Sequence, residues 1–227
     1  VTIISEQIES ALNALPASIL DRSGSAFYCG REAFAETRNL YLLGLNPGGN
    51  PVVQESNTVR KHIWQFRQRP NAWSEYRDES WEGAVPGTWG MQPRVLHMLE
   101  TLGMDPGLTP SSNVLFVRSH SEAALHREKA ALLRHCWPVH QTVIEQLGIR
   151  VIVCFGGTAG RWVCEQISAS QLIDQFIERY KNRSWKSHAH QATDGRIVVT
   201  VTHPSRANWC NSDADPTPLI QRALKLA

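Results

Sequence analysis

Four short apolar runs stand out along the chain: Asn39–Leu45 (NLYLLGL), Asn113–Val117 (NVLFV), Arg150–Phe155 (RVIVCF) and Arg196–Thr202 (RIVVTVT). Each is rich in β-branched or large aliphatic side chains and lacks polar alternation, as strands buried on both faces do. Helical spacing covers Gln92–Leu102, a stretch from Ser121 to Leu147, and Thr158–Ile167 followed by Gln171–Tyr180. Pro138 cannot donate a helical hydrogen bond, so the long stretch is expected to divide, one helix ending near His135 and the next starting around Pro138. The N-terminal VTIISEQIESALNAL reads as an amphipathic helix. Strands alternating with helices predict an α/β fold: three layers, α/β/α, around a central, mainly parallel four-stranded sheet.

Residues 50 to 90 break this alternation. They hold Pro51, Pro70 and Pro86 and four of the eight tryptophans, Trp64, Trp73, Trp81 and Trp89. A basic segment (Arg60, Lys61, Arg67, Arg69) precedes an acidic one (Glu75, Asp78, Glu79, Glu82). So long a connection between strands has a function or structure of its own. The chain of 227 residues is expected to form one domain, 1–227, with this insertion elaborated upon it.

Composition narrows the field only a little. Hydrophobic residues are 42% and charged residues 19%, which excludes a disordered chain. A net charge of +2 permits a nucleic-acid partner without arguing for one. No apolar run has the length of a membrane span, and the N-terminus lacks the basic and apolar regions of a secretory signal. A cytoplasmic location is expected. The five cysteines (Cys29, Cys136, Cys154, Cys164, Cys210) are scattered with no CxxC spacing, so free thiols are expected and neither zinc nor an iron–sulfur cluster.

Ligands of open parallel sheets bind beyond the carboxyl ends of the strands. After the first strand comes Gly44-Leu45-Asn46-Pro47-Gly48-Gly49, which is no phosphate-binding P-loop because no Lys-Ser/Thr follows. After the second come Arg118, Ser119 and His120. After the third, Gly156-Gly157-Thr158-Ala159-Gly160 departs from a dinucleotide fingerprint and reads as a tight strand-to-helix turn, with Gly160 easing close packing. After the fourth comes His203-Pro204-Ser205-Arg206-Ala207-Asn208. Neither a GxSxG elbow nor an HExxH zinc motif is present. His188-x-His190 reads as a surface pair in a basic stretch. The first and fourth turns both place polar side chains at one crevice, and either alone is ordinary turn chemistry.

As an ordered pair, GLNPGG and HPSRAN resemble the two signature motifs of the uracil-DNA glycosylase superfamily. Asn in the first and His in the second is the pairing of the single-strand-selective monofunctional uracil glycosylases. Asn113, opening the strand between them, matches the superfamily asparagine that reads the base edge. VPGTWG (Val85–Gly90) resembles the segment carrying the aromatic that stacks on the base, here Trp89. The resemblance spans about residues 39 to 210. It departs in the long insertion and in Arg206, where the family has proline. The absent cysteine cluster excludes the iron–sulfur branch.

The resemblance implies a monofunctional DNA glycosylase of base-excision repair, a monomer acting on uracil or a modified pyrimidine in single- or double-stranded DNA, without cofactor or metal. Asn46 would orient water against the anomeric carbon and His203 would donate to the pyrimidine O2. Gly44, Pro47, Gly48, Trp89 and Asn113 would bind the base. Gly49, Ser205, Arg206 and Asn208 would contact DNA, and Arg67 and Arg69 would lie on the DNA side of the insertion. The tyrosine wall that excludes 5-substituents in uracil-specific relatives is replaced by Gly48. No lysine stands in the motifs, so no Schiff-base lyase step is expected. Other readings stay open: excision of bulky modified bases from phage DNA as antiviral defence, a catalytically silent nucleic-acid-binding relative, and a small-nucleotide enzyme on the same architecture.

Overall fold

The computed structural model describes residues 5–227. Its sheet is built on the predicted apolar runs: β1 (Leu40–Gly44), β3 (Val151–Phe155) and β6 (Ile197–Val201) pair side by side and parallel. β2 (Ser111–Asn113) lies parallel on the other side of β1. This parallel half is the expected four-stranded sheet, but the sheet is larger and mixed. β4 (Gln171–Ile177) and β5 (Lys186–Gln191) form an antiparallel hairpin beyond β6, giving six strands in the order β2-β1-β3-β6-β5-β4. Residues 171–177 therefore make an edge strand where a helix was expected. The hairpin escapes an apolar-run reading because much of it faces solvent and its inward positions include Ser187 and Ala189.

Alternate strand residues face two cores. Tyr41, Leu43, Ile152, Cys154 and Val198 share a core with α1 (Glu6–Asn13), the short α2 (Ala17–Leu20), α6 (Glu122–Leu147) and α7 (Gly157–Ile167). Leu40, Leu42, Val151, Val153 and Val199 pack against α5 (Gln92–Thr101) and α8 (Thr217–Leu226). Helices thus cover both faces. The first four residues of the expected N-terminal helix lie outside the described residues. Among the described residues, no helix is long and apolar enough to cross a membrane.

Two further expectations are corrected. α6 runs unbroken through Pro138. Breaking a helical hydrogen bond there costs about 3 kcal/mol, and burial of Leu132, Cys136, Trp137, Val139 and Val143 on the core offsets it. The run Asn113–Val117 is not itself the strand: β2 ends at Asn113, and Val114–Val117 continue buried beyond it. That stretch is flanked on its other side by the segment Ser23–Cys29. Isolated antiparallel bridges join Phe27 to Ser112 and Gly24 to Val117. The same segment is bridged to the insertion, Ser23 to Thr58 and Cys29 to Ser74. Within the insertion, α3 (Val59–Gln68) is capped by the Thr58 side chain, and the single turn α4 (Glu75–Asp78) follows.

Candidate active site

Four parallel strands bring their carboxyl ends to one side of the sheet. A cavity of about 910 Å³ opens there, lined by Asn46 beyond β1, Asn113 at the end of β2, Phe155 at the end of β3 and His203 beyond β6. Three polar residues 67 and 90 positions apart in sequence thus meet at one crevice. The insertion and the Ser23–Cys29 segment form the remaining wall.

Each of the three is oriented by its surroundings. Asn46 donates its side-chain amide to the carbonyl of Pro47 at 3.1 Å, which leaves Oδ1 as a free acceptor. Asn113 is buried, 3% exposed, with Oδ1 tucked against the Cα of Gly44, where a Cβ would come within 2.2 Å of it. Gly44 is therefore required by this close approach. The Nδ2 of Asn113 has no partner in the protein. His203 accepts the backbone N–H of Ser205 at Nδ1 (3.1 Å), and the Ser205 hydroxyl lies 2.8 Å from the same nitrogen. An accepting Nδ1 makes Nε2 the protonated nitrogen of a neutral ring. Burial, with the nearby charge of Arg206, holds the His203 pKa below its ordinary value and favours that neutral form. The ring packs against Gly156, whose φ of +99° lets the third turn pass beneath it. The third glycine stretch thus shapes the wall behind His203, and Gly160 does seat α7 tightly on Thr200 of β6.

Arginines fasten the two motif loops. Arg118 donates Nε to the carbonyl of Gly48 at 2.5 Å and Nη1 to Ser23 Oγ at 2.8 Å. Arg94 donates to the carbonyl of Pro204 at 2.5 Å, and Arg183 to that of Arg206 at 3.0 Å. A guanidinium bound to backbone oxygen fixes loop geometry, which a positioned site needs.

Polar groups on the facing wall were not read from the sequence. Ser25 and Tyr28 reach the cavity because residues 23–29 run along β2, a long-range pairing without a local signal. Glu75 is held beside Tyr28 by its backbone N–H, which donates to the Tyr28 carbonyl at 2.8 Å. Its carboxyl oxygen Oε2 is buried without a hydrogen bond, 3.9 Å from His62 Nε2. Burial raises the Glu75 pKa to about 7 against the opposing pull of Arg69. Burial lowers the His62 pKa to about 3, so that ring is neutral, accepting the Ala26 N–H at Nδ1. Ser25 Oγ and Gln54 Oε1 are also buried and unpaired.

The other expected site residues divide. Gly44, Gly48, Gly49, Trp89 and Arg69 line the cavity; Pro47, Ser205, Arg206, Asn208 and Arg67 do not. Trp89 stands at the rim, 50% exposed, with Trp64 and Trp81 also lining the cavity. Ser205 and Arg206 are exposed beside His203. Arg67 is turned to the opposite side of α3, where Glu9 and Asn13 hold it at 2.7 and 2.9 Å. Arg69 lies over the Trp73 ring, 3.8 Å from its centroid. The basic segment therefore splits around a helix and does not present one face. His188 and His190 lie on β5, and among the described residues no group of three His, Cys, Asp or Glu is placed to hold a metal ion.

No protein-family model matches the chain, and no curated protein matches it.

Proposed function

We propose that this chain is a monofunctional DNA glycosylase, with a uracil-DNA glycosylase-like fold, that hydrolyses the N-glycosidic bond of a flipped pyrimidine and leaves an abasic site. The observation that carries the reading is the meeting of Asn46, Asn113 and His203 at the carboxyl ends of β1, β2 and β6 in one cavity. Their free hydrogen-bonding atoms are those the reaction needs. Oδ1 of Asn46 accepts from a water and aims it at C1′ of the sugar. The water oxygen adds to C1′ as the glycosidic bond breaks, the bond's electron pair leaves with the base, and the proton the water loses passes to solvent, from which the released base anion is protonated. His203, neutral with its proton on Nε2, donates to the O2 on which that charge collects. Nδ2 of Asn113 donates to an acceptor on the base edge. The base must first leave the stack, and the half-exposed Trp89 with Trp64 at the rim offers aromatic surface to receive it.

The test is an abasic-site assay on oligonucleotides carrying uracil, 5-hydroxymethyluracil, thymine mismatches, hypoxanthine or modified cytosines. Alkali-labile strand breaks at the modified position are expected for at least one pyrimidine. Retardation of DNA with no alkali-labile site on any of them would make the chain a base-sensing binder instead.

A further inference from the structure

The hairpin of β4 and β5 is the part of the sheet beyond the expected four strands, and its tip stands at the same edge as the site. β5 runs antiparallel to β6, so the turn that leads into β5 lies beside the end of β6, where the second motif begins. The Ser187 hydroxyl accepts the backbone N–H of Thr202 at 3.2 Å, one residue before His203. Arg183 donates to the carbonyl of Arg206 at 3.0 Å. The tip and the His203 loop are therefore fastened to each other at two points, yet residues 179–186 do not line the cavity.

Positive charge is concentrated at this tip. The run Arg179-Tyr180-Lys181-Asn182-Arg183-Ser184-Trp185-Lys186 holds four cations and no carboxylate, in a chain whose whole net charge is +2. Glu178, just before it, is buried and lies 3.9 Å from Arg183. Asp213 is exposed nearby, its carbonyl accepting the Arg179 N–H at 2.8 Å. Arg179, Lys181 and Lys186 are exposed and hold no ion pair among the described residues. The Arg183 N–H donates to the Tyr180 carbonyl at 3.2 Å, and both residues between them are left-handed, Lys181 at φ +52° and Asn182 at φ +57°. Glycine or asparagine meets that geometry with least strain, so Lys181 puts a cation at the apex against the local backbone preference. Aromatic rings steady the set: Lys181 Nζ is 5.3 Å from the Tyr180 ring centroid, and the Arg183 guanidinium lies 4.3 Å over that of Trp185. Cations positioned in advance lose less freedom when they meet an anion.

A row of cations without carboxylates among them fits a polyanion of repeated charge, and its attachment to the His203 loop selects which one. We propose that the hairpin tip, through Arg179, Lys181 and Lys186, is a second DNA-binding surface that holds backbone phosphates of the strand beyond the flipped nucleotide. It continues the contact expected of Arg206 along the strand, outside the cavity. Phosphate contacts fix register and add affinity without reading sequence, so this surface selects no base.

The choice of DNA as the anion rests on the glycosylase reading, so binding and excision are read separately. The tip variant is Lys181→Gln with Lys186→Gln. The control is Arg150→Gln with Arg196→Gln, two cations just before the amino ends of β3 and β6, at the opposite edge of the sheet. Equilibrium binding is measured from about 50 to about 200 mM salt on an oligonucleotide with one central uracil, and on forms shortened to either side of it. The tip variant is expected to bind about tenfold or more weakly, with a slope of log affinity against log salt shallower by about 1–2. The control is expected to match the wild type. Shortening one side alone should weaken the wild type and change the tip variant little. If the double variant does not fold, Lys186→Gln alone carries the expectation with about half the change in slope. A tip variant with wild-type affinity, slope and length dependence, or a control that loses as much, overturns the surface; base excision that persists then leaves the glycosylase standing. Affinity that depends on the tip, with no excision of any base, upholds the surface and removes the glycosylase. A wild type that binds no oligonucleotide overturns both.

Discussion

The backbone N–H of Ser205 donates to Nδ1 of His203 at 3.1 Å, and this contact decides which ring nitrogen carries the proton. A backbone donor persists whatever side chain stands at 205. Ser205→Ala is therefore expected to change the chemical step by less than about fivefold, since the backbone bond still fixes the tautomer. His203→Ala removes the proposed donor to the leaving base and is expected to slow the step about a hundredfold or more. Single-turnover rates of the two variants make the comparison. Equal, large losses would place the Ser205 hydroxyl itself in the reaction.

Asn46→Ala is expected to lower turnover about a hundredfold or more while DNA affinity changes little, because in the proposed reaction the side chain aims water, and it carries no charge that holds phosphate. Single-turnover excision and equilibrium binding on one oligonucleotide separate these effects. Wild-type turnover in the variant would take Asn46 out of the mechanism.

Gly48 has room for a side chain: nothing lies within 4 Å of where its Cβ would be, and its φ is outside the left-handed region. Gly48→Tyr is accordingly expected to keep its melting temperature within a few degrees. It should lose excision of 5-substituted pyrimidines far more than any excision of uracil, by placing a wall beside C5 of the proposed substrate. Parallel losses on both bases would show that glycine is needed for the loop and not for the space.

Glu75 supplies a pH test. Its folded pKa of about 7 lies above the ordinary value of 4.5, so the folded state holds this proton more tightly than the unfolded chain. Its contribution to stability is therefore most favourable below about pH 4.5 and is lost as pH rises through about 7. A shift of this size corresponds to about 3 kcal/mol, with the attraction of Arg69 already included in it. Glu75→Gln should raise the melting temperature relative to wild type at pH 8 and by clearly less at pH 5. His62 titrates in both proteins and cancels in the difference. A gain equal at both pH values would contradict a buried, ionising Glu75.

Much of this architecture could be read from the chain before its structure, for definite reasons. β1, β3 and β6 are buried on both faces, so their residues are apolar without interruption, and α5 and α7 carry clear helical spacing. The hairpin of β4 and β5 was missed because an exposed edge needs no apolar run, and α6 defied Pro138 because its core contacts outweigh one lost bond. At the site, Asn46 and His203 could be found because the turns after parallel strands converge; Asn113 was singled out only by the resemblance and was read as opening its strand, whereas it closes β2. Ser25, Tyr28 and Glu75 could not be found, since they arrive through bridges between segments far apart in sequence. Arg67 was grouped with Arg69 by proximity in sequence, yet Arg67 is on the last turn of α3 while Arg69 lies beyond its end, where the backbone is extended and turns the side chain elsewhere. The glutamate and asparagine of α1 hold Arg67 in place.

The central claim is hydrolysis at C1′ by a water that Asn46 aims. It is tested most directly by running the reaction in ¹⁸O-labelled water and analysing both products by mass spectrometry. For whichever pyrimidine the abasic-site assay identifies, the account predicts an intact free base and one ¹⁸O atom on the abasic sugar, before the sugar aldehyde can exchange, with both products lost in Asn46→Ala. Strand cleavage without release of free base, or free base formed equally well by the Asn46→Ala protein, would contradict it.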